Sequence, residues 1–230
     1  MFEIGPAGEC GIRLVFSGEP HEALTSKLLS IQHSARQRFG TELIDSVVGY
    51  TTLTLFFEPH NIERDRATGW LQESAGADTD EAFLAQLAAR PVVVLPVWYH
   101  PSVAPDLEWL AEENALSIDT VIDLHSDPTY FAYATGFAPG FCYLGTTSPK
   151  LAVPRLATPR SEVPAGSVAL ADQQTAVYPG PSPGGWRLIG SCPLRLFNLK
   201  AAPPALLTIG DSVRFEPVSE SEFRALGGSV

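Results

Sequence analysis

The sequence predicts an α+β protein in which a small α/β sandwich is followed by a β-barrel. The first indication is an alternation of strand-like and helix-like apolar patterns through residues 1–97. The second is a series of short strand-like segments after residue 129, separated by glycine and proline. The chain has 230 residues, of which 45% are hydrophobic and 18% charged, and this length suits two modest domains. We therefore expect domains at 1–97 and 98–218 and a loose polar tail at 219–230.

Apolar spacing defines the elements of the first domain. The patterns indicate a strand, a helix that ends before Gly40 and two strands joined by a turn, at Gly11–Phe16, 20–39, Leu43–Val48 and 51–57. Residues 59–78 are polar and predict a loop, Thr79 and Asp80 suit the start of a helix, and 91–97 is an almost wholly apolar strand. The order β-α-β-β-α-β is that of a ferredoxin-like domain, which hosts many functions.

The second domain begins with two short helices and continues as strands. Helical spacing predicts helices at 106–114 and 117–125, and Ser117 is a suitable cap for the second. Between residues 101 and 149 there are seven acidic residues and no Lys or Arg, so we expect an acidic outer face on these helices. Short strands are predicted at 129–135, 167–170, 175–178, 187–189, 194–197, 206–209 and 212–217. Many short strands with glycine and proline between them indicate a closed barrel or a sandwich.

The bulk composition excludes several classes of partner. A net charge of −11 and a pI of about 4.8 argue against nucleic acid or an anionic membrane. No apolar run reaches the ~20 residues of a membrane-spanning helix, and the N-terminus lacks the pattern of a signal peptide. The three cysteines are far apart, which offers no zinc spacing and fits a reducing compartment. We therefore expect a cytoplasmic protein without a metal site.

Residues 136–198 have a composition that neither a helix nor a plain strand requires. Glycine, proline and aromatic residues recur at short intervals, and this composition specifies many defined turns. From Lys150 to Lys200, six basic and two acidic residues give a net charge of +4, in contrast with −11 for the whole chain. Arginines on rigid loops of an acidic protein predict a site for a small anion, such as a carboxylate or a phosphate.

Arg155 and Arg160 are the leading candidates for this anion site, because each follows a proline and therefore leaves a stiff backbone. They either bind an anion through paired hydrogen bonds or form surface ion pairs, which contribute little to stability. Arg187 is a further candidate cation of the same segment. Gln174 and Tyr178 lie beside the turn-rich sequence PGPSPGGW. We expect them to line the mouth of a pocket, unless Tyr178 is simply a half-buried aromatic residue.

Histidines and cysteines give weaker signals. His125 ends a predicted helix, where it either complements the helix dipole, the interpretation we favour, or transfers a proton. His21, His33 and His60 have no companions that suggest a metal site. Cys142 has no base nearby in the sequence and is expected to be inert. The sequence contains neither a glycine-rich nucleotide-binding loop nor a serine-hydrolase elbow.

Four motifs in the second domain resemble one protein family. They are GF-x-PGF-x-YLG at 136–145, PR-x-x-TPR-x-x-VPAGSVA at 154–169, QT-x-x-YP at 174–179 and SPGGWRLIG-x-x-P-x-x-LF at 182–197. The chain is thereby similar to the B subunit of bacterial 5-oxoprolinase, a family also described as allophanate hydrolase subunit 1 and as the sporulation kinase A inhibitor. The likeness covers nearly the whole chain, although Ala176 stands where the family usually has glycine.

This resemblance implies a ferredoxin-like domain followed by a cyclophilin-like β-barrel. It also implies two partners, a C-subunit-like protein in direct contact and an A-subunit-like protein, which together with the B subunit open 5-oxo-L-proline to L-glutamate with hydrolysis of ATP. The isolated chain is then expected to be inactive. Two alternatives stay open: an inhibitor of a sensor histidine kinase, and a carboxyltransferase component of a urea carboxylase or allophanate hydrolase-type system. The chain has no biotinyl-lysine sequence, so biotin chemistry would need a separate carrier.

Overall fold

A computed structural model describes residues 1–58 and 64–229 of the chain. The chain divides into two compact units, Met1–Arg90 and Pro91–Val230. Both units contain helices and strands, so the α+β class predicted from the sequence is confirmed. His60 and the start of the predicted loop at 59–78 lie outside the described residues. Across the described ranges, no helix is long and apolar enough to cross a membrane.

The described part of the first unit forms a four-stranded antiparallel sheet with helices. Its elements are β1 (Phe2–Ala7), β2 (Gly11–Phe16), α1 (Glu22–Phe39), β3 (Leu43–Val48), β4 (Thr52–Phe57), α2 (Arg64–Gly76) and α3 (Glu81–Ala88). The strand order is β1-β2-β4-β3. The apolar faces of α1 and of the sheet are buried, and Leu14, Leu28 and Leu53 are inaccessible to solvent.

The ends of the helices agree with the capping residues in the sequence. The imidazole of His21 accepts a hydrogen bond from the Leu24 N–H at the start of α1, and Gly40 ends that helix with a φ of +52°. The carboxylate of Asp80 accepts hydrogen bonds from the N–H groups of Ala82 and Phe83, which confirms the predicted start of α3.

Helix α2 occupies most of a segment that was predicted to be a loop. Ala67, Leu71 and Ala75 recur at four-residue spacing and are all buried. Two of these three residues are alanines, whose hydrophobic signal is small, and their neighbours are polar. The helical period is therefore present in the sequence but weak.

The fourth strand of the first sheet is β1, and not residues 91–97, for which the apolar pattern predicts this position. β1 pairs antiparallel with β2 as a hairpin. Residues 91–97 instead supply β5 (Val93–Val97), which pairs in parallel with β13 (Ser212–Pro217) of the second unit. The expected order β-α-β-β-α-β is replaced by β-β-α-β-β-α-α. The apolar sequence of β5 suits a parallel pairing, and Pro96 suits the edge position that β5 takes.

The second unit begins with β5 and continues with two helices and a series of short strands. Between β5 and β13 lie α4 (Leu107–Glu113), α5 (Ile118–Ser126), β6 (Thr129–Thr135), β7 (Cys142–Gly145), β8 (Arg160–Val163), β9 (Ser167–Ala171), β10 (Gln174–Val177), β11 (Ser182–Gly184) and β12 (Arg187–Ser191). α6 (Glu220–Ala225) follows β13. The patterns did not predict the strands β7, β8 and β11, which have three or four residues each and lie beside glycine or proline residues.

The main sheet of the second unit is a nearly closed barrel, as the sequence predicted. In the described residues its strand order is β12-β9-β10-β7-β6-β13-β5, and β8 pairs with β11 in a separate ribbon. The two edge strands meet through Trp98 and Ser191, whose backbones exchange hydrogen bonds of 2.9 and 3.0 Å. Gly190 permits this approach, because a Cβ there would lie only 2.6 Å from a methyl group of Val97.

Helices α4 and α5 share the hydrophobic core of the barrel. Leu107, Leu110 and Val121 pack in one buried cluster with residues of the strands. Ser117 caps α5, since its hydroxyl accepts a hydrogen bond from the Thr120 N–H at 3.1 Å. The expected acidic outer face is confirmed for six of the seven residues, Glu108, Glu112, Glu113, Asp119, Asp123 and Asp127, which are exposed. The seventh, Asp106, is buried.

The tail predicted at 219–230 contains helix α6. The Ser219 hydroxyl accepts a hydrogen bond from the Glu222 N–H, and the Glu222 carboxylate accepts one from the Ser219 N–H, which together form a capping box. Phe223 is 1% exposed, and its ring centroid lies 5.4 Å from that of Trp98. This buried ring anchors a segment whose other residues are mostly polar.

Two segments predicted as strands, 194–197 and 206–209, do not form strands. A single bridge joins Phe197 to Ala205, and the Leu206 N–H donates to the Leu196 carbonyl at 2.9 Å. Prolines at 203 and 204 lack the N–H groups that a longer ladder requires.

Candidate functional site

A cavity of about 180 Å³ lies in the glycine- and proline-rich part of the second unit. Its lining residues come from all four sequence motifs that carry the family resemblance: Phe137, Phe141, Tyr143, Arg155, Leu156, Pro159, Tyr178, Gly184, Gly185 and Trp186. Of the six site residues predicted from the sequence, the structure places Arg155 and Tyr178 here. Apolar walls with a few polar groups are typical of small-molecule sites.

The inner wall of the cavity is a cluster of aromatic rings. The ring of Phe141 lies edge-on to those of Tyr178 and Trp186, with centroids 5.4 and 5.8 Å apart. Tyr143 packs against Phe141 at 5.0 Å. Phe141, Tyr178 and Trp186 are buried in one hydrophobic cluster, so the wall is closely packed. Trp186 is a core residue, as expected, and also faces the cavity.

Arg155 supplies positive charge at the exposed side of the cavity. Its guanidinium lies 5.8 Å from the ring of Trp186, a cation–π contact. Among the residues that the structure describes, no carboxylate pairs with Arg155 and no carbonyl accepts a hydrogen bond from it. The donors of this guanidinium are therefore available to a ligand.

Tyr178 provides a buried hydroxyl group in the same cavity. The residue is 2% exposed. Burial raises the pKa of Tyr178, while the backbone N–H of Trp186 and the cations of Arg155 and Arg160 oppose the rise. The phenol is therefore protonated near neutral pH. A Cβ at Gly184 would collide with its hydroxyl oxygen, so glycine is required at that position.

Arg160 lies next to the cavity but is bound to Asp106. Its Nη2 donates to both carboxylate oxygens of Asp106 at 2.9 Å, and its Nη1 donates to the carbonyl of Trp186 at 3.3 Å. The same carboxylate accepts a hydrogen bond from the Leu188 N–H at 2.7 Å. Arg160 therefore forms an ion pair, but with a buried carboxylate and not a surface one, and this pair fastens α4 to β8, to β12 and to the back of the cavity.

Arg187 is also engaged within the protein. Its guanidinium carbon lies 3.6 Å from the ring centroid of Trp109, and its Nη1 lies 3.6 Å from Asp106. Its Nε donates weakly to the Pro154 carbonyl at 3.4 Å. Arg187 does not line the cavity, and its contacts stabilise the packing of α4.

His125 and Gln174 lie away from the cavity. His125 is completely buried, with Nδ1 at 2.7 Å from the Tyr99 hydroxyl and Nε2 at 2.8 Å from the Thr175 hydroxyl. Burial lowers the pKa of His125 to about 3, so the imidazole is neutral near pH 7. This corrects the dipole interpretation, which requires a charged ring. Gln174 is half-buried in β10, where it pairs with Ala171 and Gly145.

The sequence does not point to two residues that contribute to this region, Asp106 and Phe137. Asp106 was counted with the acidic outer face, and its position directly after proline at the start of a helix was the available signal. Phe137 lines the cavity although it is 60% exposed. Its position between two glycine-containing turns in GFAPGF was the signal, but an aromatic residue in such a loop is more often buried.

The described residues contain no group of three or more histidine, cysteine, aspartate or glutamate side chains that could hold a metal ion. His21 caps α1 and His33 pairs with Gln37, so each has a structural partner. Burial raises the pKa of Cys142 to about 12, so its thiol stays protonated, in line with the expected inertness.

Known proteins are similar to this chain in sequence and in fold. The family described as carboxyltransferase domain, subdomains C and D, matches residues 2–207. The 5-oxoprolinase B subunit of Bacillus subtilis (strain 168) is 36% identical over 231 residues, which cover 97% of this chain and 96% of the relative. The crystal structure of TTHA0988 matches with a TM-score of 0.78 at 34% identity, over 91% of this chain but only 40% of that one.

A more distant structure shows the same fold. Kluyveromyces lactis urea carboxylase matches with a TM-score of 0.73 at 15% identity, over 97% of this chain and 22% of that chain. The chain belongs to the family of carboxyltransferase domains, subdomains C and D. Its curated relatives are named as the B subunit of 5-oxoprolinase, which confirms the resemblance seen in the four motifs.

Proposed function

We propose that this chain is a subunit of a cytoplasmic, ATP-dependent 5-oxoprolinase complex and binds the substrate carboxylate in the cavity of the second unit. The names of its relatives support the complex. The observation that carries the site is the cavity itself, where the guanidinium of Arg155, which has no carboxylate partner among the described residues, shares one aromatic-walled space with the protonated hydroxyl of Tyr178.

The proposed chemistry is the opening of a lactam. ATP transfers its γ-phosphoryl group to the amide oxygen and leaves as ADP. Water then attacks the activated carbon, and the C–N bond breaks to give γ-glutamyl phosphate, which a second water hydrolyses to glutamate and phosphate. Cationic groups near the developing negative charge and exclusion of bulk water favour such a reaction. Arg155 binds the carboxylate of 5-oxo-L-proline. The protonated hydroxyl of Tyr178 faces the same cavity and orients the lactam by donating a hydrogen bond to it.

The other predicted residues have indirect roles in this proposal. Arg160 and Arg187 hold α4 against the strands and do not contact the substrate. Gln174 and His125 support β10 and the barrel core. ATP and the reacting water are handled by the A-subunit-like and C-subunit-like partners, so the isolated chain has no activity of its own.

The test is ATP-dependent release of glutamate from 5-oxo-L-proline, measured for this chain alone and after co-expression with the partner proteins encoded nearby. We expect activity only in the mixture. Arg155→Ala should raise KM for 5-oxo-L-proline about tenfold or more, because a charge-assisted hydrogen bond to the substrate is lost.

The matched control is Arg195→Ala, which removes an exposed arginine of the same basic segment whose Nε donates to the Phe197 carbonyl and which does not line the cavity. This variant should keep wild-type KM. Equal effects of the two substitutions, or activity that survives Arg155→Ala unchanged, would refute the proposed site. A correctly assembled complex without activity would refute the proposed reaction.

A carboxyltransferase component is the second candidate, favoured by the family match and by the fold that the chain shares with urea carboxylase. It predicts transfer of carboxylate from a biotin-bearing carrier protein to a small acceptor such as urea, which labelled bicarbonate would detect. Inhibition of a sensor histidine kinase remains a hypothesis, for which autophosphorylation assays with added chain are the direct measurement.

A further inference from the structure

Phe137 adopts an unusual backbone conformation at the mouth of the cavity. Its φ is +70°, and the N–H of Ala138 donates to the carbonyl of Gly136 at 2.9 Å, across Phe137. A hydrogen bond from residue i+2 to residue i around a central residue with positive φ defines the rare and strained form of the γ-turn. Glycine adopts this conformation readily, whereas a bulky side chain is an outlier there.

The strain is not offset by burial of the phenylalanine ring. The side chain is 60% exposed, so it contributes little hydrophobic stabilisation. Its ring centroid lies 5.1 Å from Phe141 and 6.1 Å from Tyr178, edge-on to the latter. Phenylalanine at this position thus costs conformational energy and leaves apolar area in water. Such outliers concentrate where a side chain has to meet a ligand.

The loop around Phe137 is held firmly on the protein. Gly140 lies against Phe197, where a Cβ would come within 2.7 Å, and the Phe141 N–H donates to the Ala138 carbonyl at 2.9 Å. The Gly136 N–H donates to the Phe141 carbonyl at 3.3 Å, which closes the base of the loop. Phe137 is therefore presented in one place, beside the cavity that Arg155 and Tyr178 also line.

We propose that Phe137 is a specificity-determining residue of this cavity. Its ring forms the outer wall and contacts the apolar edge of a compact, cyclic carboxylate whose anionic group is bound by Arg155. An open-chain carboxylate of similar charge makes poorer contact with this ring and therefore binds more weakly. The inference rests on the proposed function, because it names the feature of the substrate that the same site selects.

The test compares Phe137→Gly and Phe137→Tyr in the assembled complex and in the free chain. In the complex, Phe137→Gly should raise KM for 5-oxo-L-proline about tenfold or more, as expected when an apolar pocket wall is lost. Phe137→Tyr keeps an aromatic ring at this position and should have the wild-type KM. In the free chain, Phe137→Gly should leave the melting temperature unchanged or raise it, because glycine relieves the strain. A merely structural role predicts the opposite, a lower melting temperature with unchanged KM.

Leu199→Gly is the matched control, since this leucine is 83% exposed and does not line the cavity. It should leave KM unchanged. If Phe137→Gly instead prevents assembly with the partner proteins while the free chain binds 5-oxo-L-proline as before, then Phe137 is a docking contact and the inference is wrong.

Direct measurement of ligand binding to the free chain distinguishes a failure of this inference from a failure of the proposed reaction. If the wild-type complex has no 5-oxoprolinase activity, binding of cyclopentanecarboxylate and of the open-chain hexanoate is measured by ligand-observed NMR. Preference for the cyclic probe that Phe137→Gly removes supports the inference. Absence of binding, or equal affinities in wild type and variant, overturns it.

Discussion

The imidazole of His125 links three elements of the second unit without contact with solvent. Its two nitrogens reach Tyr99, which follows β5, and Thr175 in β10, while the ring packs at 4.4 Å from Phe215 in β13. Both nitrogens have hydroxyl partners, so the neutral ring is buried with its hydrogen bonds made. Protonation would place a positive charge in this buried position, which is unfavourable because the charge loses its hydration.

Acid should therefore destabilise the second unit through His125. Unfolded histidine binds a proton below pH ~6.5, while the folded residue resists protonation down to about pH 3. Protons thus bind preferentially to the unfolded chain, and the free energy of unfolding should fall by about 1.4 kcal/mol per pH unit as the pH drops through this window. Urea unfolding at pH 7 and pH 5 measures the effect.

The comparison variants are His125→Gln and His33→Gln. The first should lose this part of the pH dependence, whereas the second, which removes an exposed histidine, should retain it. An identical pH dependence in all three proteins would show that His125 is not the responsible group.

Single residues also show how far the site could be predicted. The basic segment and its prolines pointed to Arg155, the adjacent turns pointed to Tyr178, and both residues line the cavity in the structure. They were insufficient for Arg160, because its partner Asp106 is 54 residues away in the chain. An arginine on a loop is compatible with an anion-binding site and with an ion pair. The two can be distinguished only when the position of nearby carboxylates in the folded protein is known.

At the scale of elements, one carboxylate connects α4 with two strands. Asp106 binds Arg160 of β8 and the Leu188 N–H of β12, and it is 5% exposed. Removal of one partner of a buried ion pair leaves the other charge buried without a counter-charge. The resulting loss of stability is larger than the net contribution of the intact pair.

Asp106→Ala should therefore lower the free energy of unfolding by about 3 kcal/mol, at the lower end for a buried pair because Arg160 is partly exposed. Glu108→Ala, on the exposed face of the same helix, should change it by less than about 0.5 kcal/mol. Chemical denaturation followed by tryptophan fluorescence compares them. A similar small effect for both would mean that water replaces the carboxylate at no cost.

Elements with a strong local period were predictable, and those that depend on distant partners were not. α1, β3, β6 and β13 carry clear patterns and were predicted within two residues of their ends. For α6, the capping-box sequence from Ser219 to Glu222 was a readable local signal that the polar composition obscured. The pairing of β5, by contrast, cannot be seen in its own sequence, because any sheet accepts an apolar strand.

At the scale of the whole molecule, the assignment of β5 decides which fragments can fold. Leu95 and Val97 are inaccessible in the barrel core, and β5 completes the sheet beside β13. A fragment that begins at residue 98, the boundary expected from the sequence, lacks this strand.

We expect residues 91–230 to fold alone and residues 98–230 not to. The longer fragment should give a near-UV circular dichroism spectrum with tryptophan bands and a cooperative thermal transition. The shorter one should aggregate or lack both features, because loss of an edge strand exposes the barrel core. Equal cooperativity in the two fragments would show that β5 is dispensable.

The parallel pairing of β5 with β13 also sets an order of events during synthesis on the ribosome. β5 leaves the exit tunnel before the helices and the other strands of the second unit, whereas its partner β13 follows all of those strands. The two strands therefore pair only after β13 has also been synthesised. Until then the apolar sequence VVLPV has no strand beside it, and this interval is when a nascent chain of this protein depends most on chaperones.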